Sequence, residues 1–317
     1  MAGGVEVVQG AGAVRRRAEA TGIGMLAFAV IVWGCVGRVI AEGSPHADPL
    51  MLTGLRAAPA AIVLLIALPL LRRRLPSTRD VWIRTAISGL LMVTWFLYGL
   101  TESVAKAGPG TAIVLLSTSP FFIILAERYV YGKRVTRAML VGMVVGFGGI
   151  VLIVSGQLDA SGNAGEKLVG MALAISAAIA WSIGTLIVAD QLNRDPQTDL
   201  VGLTTGQYLI GGSVLLVLAF AIEGPGAADW DSTTLWLVVA FISIVASALA
   251  TIAYFSSLRW LDPAAVTTWM FLSPVVAVLL EVVLGNVPSG LVLLGMAITI
   301  AGVAVVSAAP RPAETAG

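Results

Sequence analysis

The chain has 317 residues, of which 58% belong to the apolar set AVILMFWYC and 12% are Asp, Glu, Lys or Arg. Soluble domains are about 45–50% apolar and about 25% charged, and a soluble fold of this size has too little interior to bury the surplus. The net charge of +1 gives no basis for a nucleic-acid partner. The composition therefore predicts an all-α membrane protein with many spans.

Single copies of two residue types exclude several kinds of site. One cysteine, Cys35, rules out a disulfide framework, and one histidine, His46, rules out a multi-histidine metal site. No metal or other cofactor is expected. The first apolar run extends from Gly22 to Glu42, beyond the usual 7–15 residues of a signal-peptide core, and no small-x-small cleavage site ends it. We interpret it as the first retained span.

Ten apolar stretches are long enough to cross a bilayer, which takes about 20 helical residues. They lie at about residues 22–41, 50–71, 82–101, 109–130, 138–156, 168–189, 201–222, 234–255, 263–284 and 290–308. The connections between most of them are short. The sequence therefore predicts ten transmembrane helices and no sizeable extramembrane domain.

Basic residues are distributed unevenly between the two sets of loops. If the N-terminus is cytoplasmic, the outer side carries two of them, Lys106 and Lys167, and the inner side carries fourteen. The fourteen are Arg15, Arg16, Arg17, Arg72, Arg73, Arg74, Arg79, Arg84, Lys133, Arg134, Arg137, Arg194, Arg259 and Arg311. Because Lys and Arg accumulate in cytoplasmic loops, we expect a multi-pass protein of a bacterial-type plasma (inner) membrane with both termini cytoplasmic.

The second half of the chain repeats an ordered pattern from the first. The first half has Pro109, Ser119-Pro120 and Glu127, and the second has Pro263, Ser273-Pro274 and Glu281 at the same spacings. Further on, Gly142 and Gly149 match Gly295 and Gly302, while weaker matches link Trp33 to Trp181 and Arg56 to Gln207. A shared Pro or Gly alone would be chance, but an ordered set is not.

The repeat sets the expected architecture. Each copy contains five spans, an odd number, so the second copy must enter the membrane from the opposite side. Inverted repeats of this kind are typical of secondary transporters, because two mirror-related halves can form inward-open and outward-open states. We predict a cytoplasmic tail over residues 1–21, five-helix repeats over 22–157 and 168–308, and a second cytoplasmic tail over 309–317.

Two proline-centred segments carry a family resemblance. They read AGPGTAIVLLSTSPFFIILAERYVYGKRV and LDPAAVTTWMFLSPVVAVLLEVVLGNVPSG, and the glycine-rich spans after them end in GGIVLIVS and AGVAVVSA. Over about residues 20–308 the chain resembles the EamA-type ten-span proteins of the drug/metabolite transporter superfamily. The resemblance implies export of amino acids or other metabolites, and it extends to relatives that move purines, drugs or sugar phosphates.

The chain departs from this family at the ends of the fourth and ninth spans. The usual Leu-Gly-Glu is replaced by Tyr131-Gly132-Lys133 and Leu284-Gly285-Asn286. No role is therefore carried over from that terminal glutamate. The first span also has no acid before Glu42, so the coupling glutamate of the small multidrug resistance relatives does not carry over either.

Ionisable residues inside spans are costly and indicate function by default. Arg56 is interpreted either as a counter-charge for an anionic or zwitterionic substrate group or as a side chain that snorkels to the outer interface. Glu127 and Glu281 lie near opposite faces and are candidates for proton coupling or gating. The alternatives are a local ion pair of Glu127 with Arg128 or Lys133, and hydration of Glu281 near the surface.

Aromatic and hydrogen-bonding residues within spans are candidates for the substrate cavity. Besides Arg56, the substrate-binding candidates are Trp33, Trp95, Tyr98, Thr118, Trp181, Gln207, Tyr254 and Trp269. Such a set suits amphipathic metabolites or organic cations. The alternatives are interfacial aromatic belts and hydroxyls bonded to their own helix. Pro120 and Pro274, near the middle of two spans, are expected to kink their helices and so favour alternating access.

The sequence is compatible with three function classes to different degrees. The first is a secondary active transporter, a monomer or homodimer embedded in membrane lipid, that exports a small-molecule substrate. The second is a flippase for a lipid or a lipid-linked sugar, which would need a cavity open sideways to the bilayer. The third, an intramembrane enzyme, is disfavoured because no His-Glu-x-x-His or Gly-x-Ser-x-Gly motif is present. An ATP-driven pump is excluded because the sequence has no Gly-x-x-x-x-Gly-Lys-[Ser/Thr] phosphate-binding loop.

Overall fold

The computed structural model describes residues 2–132, 135–158, 163–257, 269 and 272–308. Within these residues the fold is built from helices and contains no strand beyond one isolated bridge. The helices are α1 (Ala2–Gly43), α2 (Pro49–Leu70), α3 (Arg79–Gly89), α4 (Phe96–Ala107), α5 (Pro109–Leu116), α6 (Ser119–Tyr131), α7 (Arg137–Leu158), α8 (Ala164–Arg194), α9 (Leu200–Ile222), α10 (Thr233–Ala240), α11 (Ala250–Ser257), α12 (Leu272–Val283) and α13 (Gly290–Ala308).

The apolar helices account for the predicted spans. Seven helical stretches in the described part of the chain are long and apolar enough to cross a bilayer, and shorter apolar helices lie at Arg137–Ile153 and Gly290–Val306. The ninth predicted span, residues 263–284, falls partly outside the described residues and is represented by α12. The prediction of an all-α membrane protein is confirmed.

The third and eighth spans are each one continuous helix, Arg79–Ala107 and Thr233–Ser257, with a π-helical stretch in the middle. We call Leu90–Trp95 the first π segment and Phe241–Leu249 the second π segment. Shifting residues 90–95 by the repeat offset of 154 gives 244–249, within the second π segment. Since π turns insert an extra residue and often mark functional sites, their matched placement makes both spans candidates for the transport path.

The two halves are interleaved. In the first half, α1 packs on the second π segment, α11 and α12, while in the second half α8 packs on the first π segment, α4, α5 and α6. The second spans of the two halves, α2 and α9, pack on each other and on the π segment of the opposite half. Each half therefore places its first two spans against the third and fourth spans of the other.

The fifth spans, α7 and α13, meet through glycines at reciprocal positions. A Cβ atom on Gly142 would lie 2.8 Å from the carbonyl oxygen of Gly302, and one on Gly149 would lie 2.6 Å from that of Gly295. Gly142 corresponds to Gly295 in the repeat, and Gly149 corresponds to Gly302, so the two contacts exchange under a two-fold rotation. Residue numbers rise along one helix and fall along the other, as inverted repeats require.

Loop contacts define the two faces of the bundle. The loops after the first and seventh spans are joined by hydrogen bonds from Asp48 N–H to the Ala227 carbonyl and from Asp229 N–H to the His46 carbonyl, each 2.8 Å. The loops after the second and sixth spans meet where Arg74 N–H donates to the Asp199 carboxylate at 3.3 Å. The loops after the first and seventh spans thus share one face, and the loops after the second and sixth spans share the other. We call these the outer face and the inner face, after the orientation that the basic residues predict.

Candidate functional site

Arg56 is a buried charge within the second span. It lies seven residues from the start of α2, about 10 Å along the helix, and its side chain is only 4% exposed. Its Nε donates a 3.0 Å hydrogen bond to Ser247 Oγ, whereas Nη1 is buried and has no hydrogen-bond partner among the described residues. The guanidinium therefore points into the interface between the halves and does not snorkel to the surface.

The second π segment explains why Ser247 can receive this bond. The Ser247 hydroxyl donates to the Ile242 carbonyl, five residues earlier, at 2.8 Å, which leaves its oxygen lone pairs for the Arg56 N–H. A five-residue spacing belongs to the wider π turn. The same segment accepts a 2.8 Å hydrogen bond at the Ala246 carbonyl from Trp33 Nε1 of α1. One π segment thus gathers candidate residues from two spans of the other half.

Trp33 packs against another aromatic side chain. The rings of Trp33 and Tyr254 have centroids 5.5 Å apart, and Tyr254 packs with Trp269 against the fully buried Leu26 and Val30 of α1. The structure therefore brings Trp33 and Tyr254 together beside the π segment that contacts Arg56, and it places Trp269 with Tyr254 on the same two residues of α1. A patch of this kind offers ring faces and an apolar floor to an organic group.

Gln207 of α9 occupies the corresponding place in the second half. It is 4% exposed, and its Nε2 donates to Ser88 Oγ at 2.8 Å and lies 3.9 Å from Met92 Sδ in the first π segment. A second aromatic group lies beside this segment: the rings of Phe96 and Trp181 are 4.7 Å apart. The repeat thus places Arg56 and Gln207 against opposite π segments.

Trp95 and Tyr98 extend this second group. Their ring centroids are 6.1 Å apart. Trp95 is 43% exposed and donates from Nε1 to Ser176 Oγ at 3.2 Å. The Tyr98 hydroxyl donates to Glu102 at 3.2 Å, and Glu102 also pairs with Lys106 at 3.0 Å.

The fourth span is interrupted near its proline. Helix α5 ends at Leu116 and α6 begins at Ser119, with Pro120 as its second residue. Thr118 is fully buried between them, and its hydroxyl donates to the Leu115 carbonyl at 2.6 Å, which is a local bond within the break.

Corresponding residues of the first and sixth spans contact the Ser-Pro sites of the opposite halves. The Ser182 hydroxyl of α8 donates to the Ser119 carbonyl at 2.9 Å. In the other half, a Cβ on Gly34 of α1 would lie 2.8 Å from the Ser273 carbonyl. Gly34 and Ser182 each follow the matched tryptophans Trp33 and Trp181. Pro274 belongs to α12, but its side chain lies outside the described residues.

The two glutamates of the coupling hypothesis are described to different extents. Glu281 of α12 is 6% exposed, and its buried Oε1 has no hydrogen-bond partner among the described residues. Its Cγ would lie 3.6 Å from a Cβ on Gly110 of α5, which would be equally close to Met296 Cε of α13. Glu127 lies in α6, and its side chain is outside the described residues. The surface-hydration alternative does not fit a carboxyl as buried as that of Glu281.

Glu223 is a functional candidate that sequence patterns did not single out. It follows α9, and its carboxylate accepts the backbone N–H groups of Leu50 and Met51 at 3.1 and 2.6 Å, capping the start of α2. Burial raises the pKa of the Glu223 carboxyl above its ordinary value. The two N–H bonds lower it in part, and repulsion from Asp48 and Glu102 adds to the rise. A carboxylate that caps a helix of the opposite half, far away along the chain, leaves no local signal in the sequence.

The inner face is held by ion pairs between the halves. Arg84 of α3 contacts Asp190 of α8 at 2.5 Å, and Asp190 also receives Arg194 at 2.9 Å. Asp199 caps α9 through the N–H of Val201 and pairs with Arg73 at 3.7 Å. Within the described residues, no group of three His, Cys, Asp or Glu side chains is arranged to hold a metal ion.

Comparisons with known proteins agree with this architecture. The chain is 29% identical over 265 residues to the uncharacterized inner membrane transporter YedA of Escherichia coli (strain K12), covering 83% of this chain and 82% of that protein. It is 26% identical over 299 residues to the uncharacterized transporter YvbV of Bacillus subtilis (strain 168), covering 92% and 93%. It is also 25% identical over 285 residues to a probable amino-acid metabolite efflux pump of Salmonella typhimurium, covering 86% and 90%.

A solved crystal structure has the same fold, with a TM-score of 0.63 and 21% identity over 92% of this chain and 98% of its own. The family model described as the EamA-like transporter family matches twice, at residues 20–155 and 168–308. The two matches cover most of the chain and coincide with the two interleaved halves. This chain is a multi-pass membrane transporter that belongs to the EamA-like transporter family.

Proposed function

We propose that this protein is a secondary active transporter that exports a small metabolite, such as an amino acid or an amphipathic toxic compound, by alternating access. The observation that carries the proposal is the reciprocal packing of the two halves. Because Gly142–Gly302 and Gly149–Gly295 exchange under a two-fold rotation, exchanging the conformations of the halves converts an inward-open state into an outward-open state of similar energy.

The contacts at the two faces would act as the gates. On the outer face, Glu223 joins α9 to the first turn of α2. On the inner face, Arg84–Asp190 and Arg73–Asp199 join the first half to the second. Opening toward one side requires only the contacts of that side to break. Both sets are partly exposed polar contacts, which contribute little to stability individually and can open on the millisecond timescale of transporter motions.

Proton coupling is assigned to Glu281 and, by the repeat, to Glu127. Glu281 supports this role by its place, since it is a buried carboxyl with an unpartnered oxygen in a helix that packs on α1 and α5. If the Glu127→Gln and Glu281→Gln variants both transport with the pH dependence of the wild type, neither residue couples transport to protons.

The orientation follows from charge. The inner face carries Arg73, Arg74, Arg84 and Arg194, and the excess of basic residues belongs in the cytoplasm. We therefore place both termini in the cytoplasm and the protein in the plasma membrane, as a monomer or homodimer. Relatives named as inner membrane transporters support this location.

Transport by purified protein in liposomes tests the proposal directly. A labelled panel of amino acids and cationic drugs would be measured with and without an imposed pH gradient. We expect saturable movement of at least one class of compound. A proton gradient that drives protons in the direction opposite to the compound should accelerate this movement. Movement of fluorescent lipids with no movement of any water-soluble compound would overturn the proposal in favour of a flippase.

A further inference from the structure

We infer that Arg56 selects substrates that carry a carboxylate. In the closed protein its Nη1 has no hydrogen-bond partner among the described residues, and a substrate carboxylate would supply both that partner and a counter-charge. The inference rests on the proposed transport function and narrows it from small metabolites in general to organic acids and amino acids. It separates this chain from transporters of organic cations, for which a buried guanidinium would be repulsive.

The first step is the absence of a counter-charge. The described residues provide Arg56 with a hydrogen bond to a neutral hydroxyl, that of Ser247, and with an electrostatic interaction with the Tyr208 phenol. They provide no carboxylate within ion-pair distance of it. An arginine stays protonated, so burying one without a counter-charge is unfavourable. A bound anion removes this cost, and a bound cation increases it.

The second step is the position of the free donor. Nε is held by Ser247, which fixes the plane of the guanidinium, while the buried Nη1 remains unpartnered. Guanidinium N–H groups match the geometry of a carboxylate, and a charge-assisted bond of this type is about twice as strong as a neutral one. The fixed plane therefore offers a pre-oriented donor to an acid, whereas an amide or an ester would gain only a neutral hydrogen bond.

Arg56 can become accessible to a substrate when the two halves move relative to each other. Arg56 belongs to α2, and the elements packed over it, α9 and the second π segment, belong to the other half. Relative movement of the halves therefore uncovers the guanidinium to one side of the membrane at a time. Trp33, bonded to the residue before Ser247, places an aromatic surface beside the donor for the remainder of an amphipathic acid.

The fourth step is the asymmetry of the repeat. The matched position in the other half holds Gln207, a neutral side chain whose amide nitrogen already has its partners in Ser88 and Met92. Two-fold packing therefore provides two equivalent niches but one charged donor. The arrangement fits one carboxylate per transport cycle.

The test compares acids with their neutral amides in proteoliposomes. Leucine, phenylalanine and glutamine would each be measured beside the corresponding C-terminal amide, using wild type, Arg56→Gln, Arg56→Lys and Thr53→Val. We expect the wild type to prefer at least one acid over its amide by about tenfold or more in kcat/KM. Arg56→Gln should reduce the preference to about one, and Arg56→Lys should retain part of it.

Thr53→Val is the matched control, because Thr53 is buried one turn earlier on α2 and its hydroxyl donates to the backbone carbonyl of Pro49 in its own helix, at 2.6 Å. It should keep the wild-type acid-to-amide ratio. An Arg56→Gln variant that folds and keeps the ratio overturns the inference, as does a wild type that moves amides or drugs as well as acids, while the transport function stands. If no compound moves, the proposed function itself fails.

Discussion

Helices α2 and α9 occupy equivalent positions in the two halves, yet they carry different chemistry at their centres. Both are buried against the opposite π segment. Gln207 on α9 is satisfied by Ser88, whereas Arg56 on α2 retains an unpartnered nitrogen. The features that repeat, such as the glycine contacts, the π segments and the Ser-Pro sites, serve the mechanics of both halves. The feature that does not repeat, Arg56, is the one to which we assign substrate recognition.

The largest effect is expected from the repeated features. Gly149→Ala places a Cβ 2.6 Å from the Gly295 carbonyl, and Gly302→Ala creates an equally close contact with Gly142. Because a closely packed helix pair cannot move apart far enough to relieve these contacts, we expect each variant to lose about 3 kcal/mol of folding stability or to fail to fold. The measurement is the melting temperature in detergent.

Gly148→Ala is the control for this pair, because a Cβ there would meet nothing within 4 Å. It should melt at or slightly above the wild-type temperature, since Ala favours a helix more than Gly. Equal losses for Gly149→Ala and Gly302→Ala would sharpen the equivalence of the halves, and a loss for only one of them would break it.

Substitutions of Gln207 and Arg56 should have opposite effects on stability, because one side chain has its hydrogen-bond partner and the other is an unpaired charge. Gln207→Ala removes the bond to Ser88 and leaves a small cavity, so we expect it to lower stability by about 1–2 kcal/mol. Arg56→Gln removes an unpaired buried charge and should leave the ligand-free protein equally stable or more stable, although it loses substrate selectivity. Melting temperatures of the two variants without ligand would check this, and a marked loss for Arg56→Gln would contradict it.

A smaller effect concerns the outer face. Because the pKa of Glu223 is raised on folding, the folded protein binds the proton more tightly than the unfolded chain. Stability from this group is present below the ordinary glutamate pKa and is lost as the pH rises through the raised value. Glu223→Gln should therefore reduce the fall in melting temperature between the ordinary glutamate pKa and the raised pKa of Glu223. An unchanged slope would remove Glu223 as the responsible group.

The smallest effect is expected on the inner face. Asp190→Asn removes the partly exposed pairs with Arg84 and Arg194, and salt screens interactions of this kind. We expect a slight decrease in melting temperature at low ionic strength that disappears in molar salt. A decrease that persists in molar salt would show that Asp190 stabilises the bundle by more than charge.

Much of the fold could be predicted because it depends on patterns along the chain. Apolar length predicted the spans, matched spacings such as those of Gly142 and Gly149 against Gly295 and Gly302 predicted a repeat, and the odd number of spans in each copy predicted that it is inverted. The matched glycines then meet in space. The π segments could not be predicted, since they depend on packing against the opposite half and leave no trace in an apolar run such as FISIVASAL.

The site was predictable by residue type but not by contact. Arg56 was marked by its charge within a span, whereas its partner Ser247, 191 positions away, resembles any serine in a membrane helix. Glu223 was visible as an acid, but its role as the cap of α2 depends on two distant helix ends that meet only in the fold. Glu102 and Lys106 did carry a local signal, the i,i+4 spacing of an ion pair.

The most direct test of the inverted halves is the sidedness of two corresponding loops. In a Cys35→Ser background, Pro45→Cys lies in the exposed loop after the first span, and Gln197→Cys lies in the exposed loop after the sixth span, which is the first span of the second half. With a membrane-impermeant maleimide on intact cells, we predict labelling at position 45 and labelling at position 197 only after permeabilisation. Labelling of both positions from the same side would contradict the inverted arrangement.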